Sequence, residues 1–171
     1  HGMNENNIEQ VVSGINLGAN LGTDVFYSGT VGAAIAGINL KYAPVAISVC
    51  SFSPRDISFI ADKAFELIQK FRSISLQQNS LININFPDIF KQDYKGELYT
   101  KLAKREAPEA PNIISKNDQL SFTFSASGDF IDGQTDTDMQ AIENGYVSVS
   151  ILNYDISNAN DFLGREISHG S

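Results

Sequence analysis

The apolar positions of this chain change period from one stretch to the next, and each period predicts an element. Ile57, Ile60, Ala61, Ala64, Leu67, Ile68 and Phe71 recur three and four apart, so a helix would gather them on one face. Ser53 can cap that helix, Pro54 suits its first position, and Asp56 falls in its first turn. Pro44-Val-Ala-Ile-Ser-Val49 is an apolar run of strand length, with the low polarity of a buried parallel strand. Leu81-Ile-Asn-Ile-Asn-Phe86 predicts another strand, stopped by Pro87-Asp88, and Tyr146-Val-Ser-Val-Ser-Ile-Leu152 a further one. Val11 and Val12 lead a strand into Ser-Gly-Ile-Asn16. The later run Val31 to Leu40 has Ile35 and Ile38 at helical spacing among small residues, which predicts a helix lying close against a sheet.

Strand, helix, strand, helix, strand over the first half implies parallel strands joined by right-handed crossovers. The second half loses that alternation. From Lys91 to Lys116 the chain carries six of its twelve basic residues, Pro108 and Pro111, and little periodicity, which reads as an exposed basic excursion or hairpin. Leu120, Phe122 and Phe124 alternate with polar residues as in a half-buried strand. Asp132-Gly133 supplies a turn, and Asp136 to Glu143 predicts a short helix closed by Asn144-Gly145. The expected organisation is therefore a leader or expression remnant over 1–10, an α/β core over 11–90, the basic excursion over 91–118, and a C-terminal β extension and tail over 119–171.

Composition narrows the chemistry. The 171 residues are 42% hydrophobic and 19% charged, an ordinary globular balance for one domain. No run approaches the length of a bilayer span, and the N-terminus lacks the pattern of a secretory signal, so the expectation is a cytoplasmic protein without a membrane partner. A net charge of −8 argues against a general nucleic-acid surface and leaves any anionic ligand to local groups or a cation. The two histidines, His1 and His169, lie at the chain ends, and Cys50 is the lone cysteine, which disfavours a histidine triad and a His/Cys zinc site. A bound metal would have oxygen ligands, pointing to Mg, Mn or Ca.

Six of the thirteen glycines, at 14, 18, 22, 29, 32 and 37, fall within 24 residues spanning the first strand and the first helix. A strand ending in Ser13-Gly-Ile-Asn16 puts polar groups at the carboxyl end of a sheet, where open α/β folds bind ligands. Ser28-Gly29-Thr30 then opens a helix. Its backbone N–H groups, two hydroxyls and a glycine form a cradle suited to phosphate; equally, Ser28 or Thr30 serves only as a cap and the glycines only as close packing. The pattern matches neither GxxxxGK(S/T) nor GxGxxG. Asn16 and Asn20 offer amide oxygens to a hard cation but no charge, and Asp24, the nearest carboxylate, is more simply a solvent or turn residue. Asp129, Asp132, Asp136 and Asp138 do not fit a calcium loop, because Gly128, Phe130 and Met139 fall where oxygen ligands are required.

Val11-Val-Ser-Gly-Ile-Asn16, Gly18, Asn20, Gly22 and Tyr27-Ser-Gly-Thr-Val31 together resemble the signature of the SurE (survival protein E) family of metal-dependent 5′/3′-nucleotidases. The likeness continues through Pro44 to Val49, Leu81 to Pro87, Lys95-Gly96, and Thr135 to Asp138 into Gly145-Tyr-Val-Ser-Val149, covering about residues 11–157. It implies a Rossmann-like α/β fold with a mostly parallel sheet and a C-terminal β extension. It also implies a Mg or Mn cofactor, nucleoside monophosphates as substrates, and a homodimer or homotetramer exchanging C-terminal segments. Carried onto this sequence, it makes Asn16 a metal ligand and sets Asn20, Ser28, Gly29 and Thr30 around the phosphate. The family's opening strand, ending in Asn-Asp-Asp-Gly with its metal-binding aspartates, has no counterpart here, so the chain resembles the C-terminal two-thirds of such a protein. Two expectations follow: nucleotide hydrolysis that needs the complete protein, or a non-catalytic piece that oligomerises or binds phosphate weakly.

Overall fold

The computed structural model describes residues 8–154 apart from 78, 108, 109, 117, 118, 124–127 and 132. Its elements are β1 (Val12–Leu17), α1 (Gly29–Ile35), β2 (Val45–Val49), α2 (Ile57–Arg72), β3 (Ser80–Phe86), β4 (Glu97–Tyr99), β5 (Asn112–Lys116), β6 (Gln119–Thr123), α3 (Asp138–Glu143) and β7 (Val147–Asn153). A 3-10 helix, Gly22–Tyr27, links β1 to α1. Five strands form the main sheet in the order β1-β2-β3-β7-β4. The first three are parallel, as the alternation of strands and helices predicts; β7 runs antiparallel to β3, and β4 parallel to β7. The α/β class with a largely parallel core follows from the sequence. Residues 147–153 are part of that core sheet and sit beside β3.

Strand periodicity gives the sheet two different faces. On one face Val45, Ile47, Val49, Ile82, Ile84, Phe86, Val147 and Val149 meet Ile60, Ala64, Leu67 and Phe71 of α2 in one apolar cluster. The alternate positions form the other face. At one end of it Ala46 and Leu81 pack with Val25, Val31 and Ala34 under α1. At the other end the same strands present Ser48, Asn83, Asn85, Ser148 and Ser150, all buried. The register aligns them in rows: Asn85 lies opposite Ser48 and Ser148, and Asn83 opposite Ala46 and Ser150.

Three sequence expectations change. The long helix begins at Ile57 rather than Pro54, because Asp56 is its cap: one carboxylate oxygen accepts the Phe59 N–H at 3.1 Å and the other the Lys91 N–H at 3.4 Å. Its buried stripe is correspondingly narrower, with Ile57 and Ala61 exposed. The first helix stops at Ile35 and gives way to turns, in which Gly37 lies so close to Val11 that a Cβ would approach that side chain to 2.6 Å. Leu120 and Phe122 are exposed rather than half-buried, because β5 and β6 form a separate two-stranded sheet with every residue exposed. Phe124, Asp132, both histidines and the tail after Tyr154 lie outside the described residues.

Candidate functional site

Beyond β1 the chain must turn across the carboxyl ends of β2 and β3, and its glycines make that path possible. Gly14 has φ +126°, and a Cβ there would stand 2.3 Å from the Ile47 carbonyl oxygen, so only glycine fits. The Gly18 N–H then donates to the Val49 carbonyl at 2.9 Å, tying the turn to the end of β2. Asn16 Nδ2 donates to the Gly18 carbonyl at 2.9 Å. Its amide oxygen accepts from no described residue and is a neutral oxygen this turn offers to a hard cation.

Asn20 is buried, and its N–H, carbonyl and side-chain amide nitrogen are all bonded. Its N–H donates to Asn85 Oδ1 at 2.8 Å, and its carbonyl accepts from Asn85 Nδ2 and Asn83 Nδ2, both at 2.9 Å. Its own side-chain amide donates to Ser48 Oγ. Ser48, Asn83 and Asn85 therefore have a definite partner in Asn20, while Ser148 and Ser150 both meet Thr100 Oγ1, at 2.8 and 2.9 Å. Asn83 Oδ1 alone among the buried side-chain polar atoms of the described residues accepts nothing.

Two carboxylates fasten the continuation. Asp138, fully buried, accepts the Gly22 N–H at 2.7 Å on one oxygen and the Ala103 and Met139 N–H groups at 2.8 Å on the other. Burial pushes its carboxyl above the usual carboxylate range, and the backbone donors pull it back. Gly22 has φ +55°, and a Cβ there would meet the Ala103 carbonyl oxygen at 2.6 Å. Asp24 is held by both arms of Arg105, Nε to Oδ1 at 3.0 Å and Nη2 to Oδ2 at 2.7 Å. The guanidinium lies 3.7 Å from the Phe130 ring centroid and also donates to the Gly128 carbonyl at 3.0 Å. Asp24 is thus an ion-pair residue on the sheet-covering loop, and Asp138 a backbone knot. The sequence pattern points to a turn or cap role for Asp138 and to a solvent-facing or turn-capping one for Asp24.

At α1 the two readings of Ser28-Gly29-Thr30 separate. Ser28 is the cap, its Oγ accepting the Val31 N–H at 3.1 Å and its carbonyl accepting the Gly32 N–H at 2.9 Å. Close packing accounts for Gly14, Gly22 and Gly37 but not for Gly29 or Gly32: a Cβ at either would have nothing within 4 Å, and neither has a positive φ. The Gly29 and Thr30 N–H groups donate to no described residue. Ser28 and Gly32 also line a cavity of about 440 Å³ with Val31, Thr100, Leu152 and Tyr154, which is reached by neither Asn16 nor Asn20. The described residues contain no group of three or more His, Cys, Asp or Glu side chains that could hold a metal. They fit one ligand position of a divalent cation, Asn16, and do not complete such a site. Cys50, at the end of β2, has its thiol pushed up to about 12, first by burial and then by the charges of Asp138 and Asp88.

Comparison with known proteins bears on the chain as a whole. Residues 1–109 match the family model described as Survival protein SurE. The chain is 37% identical over 156 residues to a protein named 5′-nucleotidase SurE from Pseudomonas savastanoi pv. phaseolicola, covering 91% of this chain and 63% of that protein. It is 38% identical over 154 residues to a 5′-nucleotidase SurE of Vesicomyosocius okutanii, covering 90% and 61%. The crystal structure of the SurE protein from Aquifex aeolicus superposes with a TM-score of 0.78 at 29% identity, covering 92% of this chain and 64% of that one. The chain thus spans less than two thirds of the length of these relatives.

Proposed function

Because the chain belongs to the survival protein SurE family, we propose that it supplies the phosphate-holding part of an enzyme that hydrolyses nucleoside 5′- or 3′-monophosphates. The observation that carries this reading is Gly29, the first residue of α1, where neither packing nor backbone conformation requires a glycine. A ligand approaching the helix start is what an absent side chain would admit.

In this reading the Gly29 and Thr30 N–H groups and the hydroxyls of Ser28 and Thr30 donate to the phosphoryl oxygens. They are aimed before substrate arrives, so they stabilise charge developing in the transition state without reorganising. Asn20 sets the distance between this cradle and Asn16, which offers its amide oxygen to a Mg or Mn ion. The ion, when bound, would supply positive charge to the phosphoryl group. The described residues hold no group of three or more His, Cys, Asp or Glu side chains to set beside Asn16 for such an ion. The same observation favours the second reading for the isolated chain, which is phosphate binding without turnover.

The test is phosphate release from a panel of nucleoside monophosphates with Mn, Mg or EDTA, run beside an NMR titration of the chain with inorganic phosphate. The expected result is a phosphate-dependent shift of the Gly29 and Thr30 amides with no turnover. Metal-dependent turnover by the pure chain would show that its own residues complete the metal site and would overturn the second reading. Unmoved Gly29 and Thr30 amides would overturn the cradle.

Assembly into a homodimer or homotetramer belongs to the same proposal. It is supported by the β5–β6 sheet, where Ile113, Ile114, Leu120 and Phe122 are all exposed, since a two-stranded ribbon is marginal without a surface to pack on. Sedimentation velocity decides it, and a strict monomer at all concentrations would refute it.

A further inference from the structure

The phosphate reading leaves unexplained why a strand buried at every position carries Asn83 and Asn85. We propose that Asn85, assisted by Asn83, is the positioning residue of the site, its side-chain amide holding the Asn16–Gly22 loop at a fixed height above the sheet. This inference rests on the phosphate reading and goes beyond it, since neither asparagine would touch the ligand.

A loop peptide crossing strand ends has no backbone neighbour in register and ordinarily turns its N–H and C=O to water. At Asn20 one carboxamide satisfies both groups: Asn85 Oδ1 accepts the N–H at 2.8 Å and Nδ2 donates to the carbonyl at 2.9 Å. A primary amide presents a donor and an acceptor side by side, so it imitates the edge of an adjacent strand. Asn83 adds a second donor to the same carbonyl, and Ser48 receives the Asn20 side chain. Three side chains on two parallel strands thus converge on one loop residue. Two residues later Asp138 takes the Gly22 N–H.

The other end of the same sheet face shows the alternative. There Leu81 and Ala46 are simply covered by α1. Burial alone asks for apolar residues in these strands. An amide at position 85 supplies directionality, which an apolar side chain of equal volume lacks. The loop so fixed leads directly into the 3-10 helix and then into Ser28, so the height of Asn20 above the sheet is transmitted to the cradle.

The test compares N85L, which keeps volume and loses both hydrogen bonds, with N85D, which is isosteric and loses the donor. I82V, on the apolar face of the same strand, serves as a control that lowers stability without touching the loop. Amide hydrogen exchange is followed at Asn20 and in α2, and inorganic phosphate is titrated by NMR on the full chain. In N85L the Asn20 amide should exchange on the order of 100-fold faster while α2 keeps its protection. Phosphate should bind roughly 10-fold more weakly. N85D keeps the acceptor of the Asn20 N–H and loses the donor to its carbonyl, so phosphate binding should weaken to a smaller degree; N85A, which loses both, carries the exchange test if N85L does not fold. I82V should leave both loop readouts at wild-type values. Wild-type protection at Asn20 in a folded N85L would overturn the clamp. Lost protection with unchanged phosphate binding would overturn the positioning role and leave a structural one. A wild-type chain that ignores phosphate would overturn the phosphate reading and the positioning role built on it, while the exchange data would still report whether Asn85 holds the loop.

Discussion

The two faces of the central sheet are built from the same strands and answer to different physics. One face is a continuous apolar layer under α2, held by burial and shape. The carboxyl-end half of the other is a layer of amides and hydroxyls under the Asn16–Gly22 loop, held by paired donors and acceptors. An apolar layer tolerates small displacements at small cost, because dispersion and burial are non-directional. A hydrogen-bonded layer fixes its partner to within tenths of an ångström and loses much when one member is removed. The molecule uses the first to hold the fold together and the second to place the loop.

Substitutions can break this contrast. The largest effect belongs to the apolar face: Phe86→Ala, at a fully buried position, should lower unfolding stability by about 3–5 kcal/mol in urea titration, with loop and core losing exchange protection together. Asp138→Ala should cost about 1–3 kcal/mol and act unevenly. It leaves the Gly22 and Ala103 N–H groups without an acceptor, so their exchange should accelerate well beyond that of α2. Uniform acceleration would erase the distinction between the two layers. Arg105→Lys keeps the charge but gives up the two-armed grip on Asp24 and the stacking on Phe130. Because both partners are partly exposed, about 1 kcal/mol is expected, read as a small shift in urea midpoint.

The smallest perturbation is chemical. Burial raises the Cys50 thiol from an ordinary 9.0 to about 12, so at pH 8 its thiolate population falls by roughly a factor of 1000, and native alkylation should slow to match. Labelling should reach the rate of a free cysteine only when urea unfolds the chain. Fast labelling of the native state would place Cys50 in a much wetter setting.

The sequence made the apolar layer plain and hid the polar one, and both outcomes have one cause. The 57–71 stripe and the 44–49 run are local patterns, and local pattern is enough when the covering element is also amphipathic. In Leu81-Ile-Asn-Ile-Asn-Phe86 the asparagines occupy alternate positions, which ordinarily means a solvated face. What buries them is a loop some sixty residues upstream, and no spacing within the strand reports it. Asp138 was read as a turn or cap residue for the same reason, since its acceptors serve amides at Gly22 and Ala103. Ser53 and Asp56 were both chemically able to cap α2, and the contact of Asp56 with Lys91 on a distant loop favours the latter. The glycines were legible as a group. Only their surroundings separate Gly14, which is packed against a carbonyl, from Gly29, which faces open space.

The bond from Gly22 to Asp138 spans 116 positions of sequence, and that span has a consequence for the order of events during synthesis. At a ribosomal pace of about 5–20 residues per second, the candidate loop leaves the tunnel roughly 6–23 s before the carboxylate that secures it. Asn85 arrives within that interval, and β7 only after it. The part of the chain made first among these is the last to be fully fixed in place, so a nascent chain halted before residue 138 would carry a loop held at Asn20 and still free at Gly22.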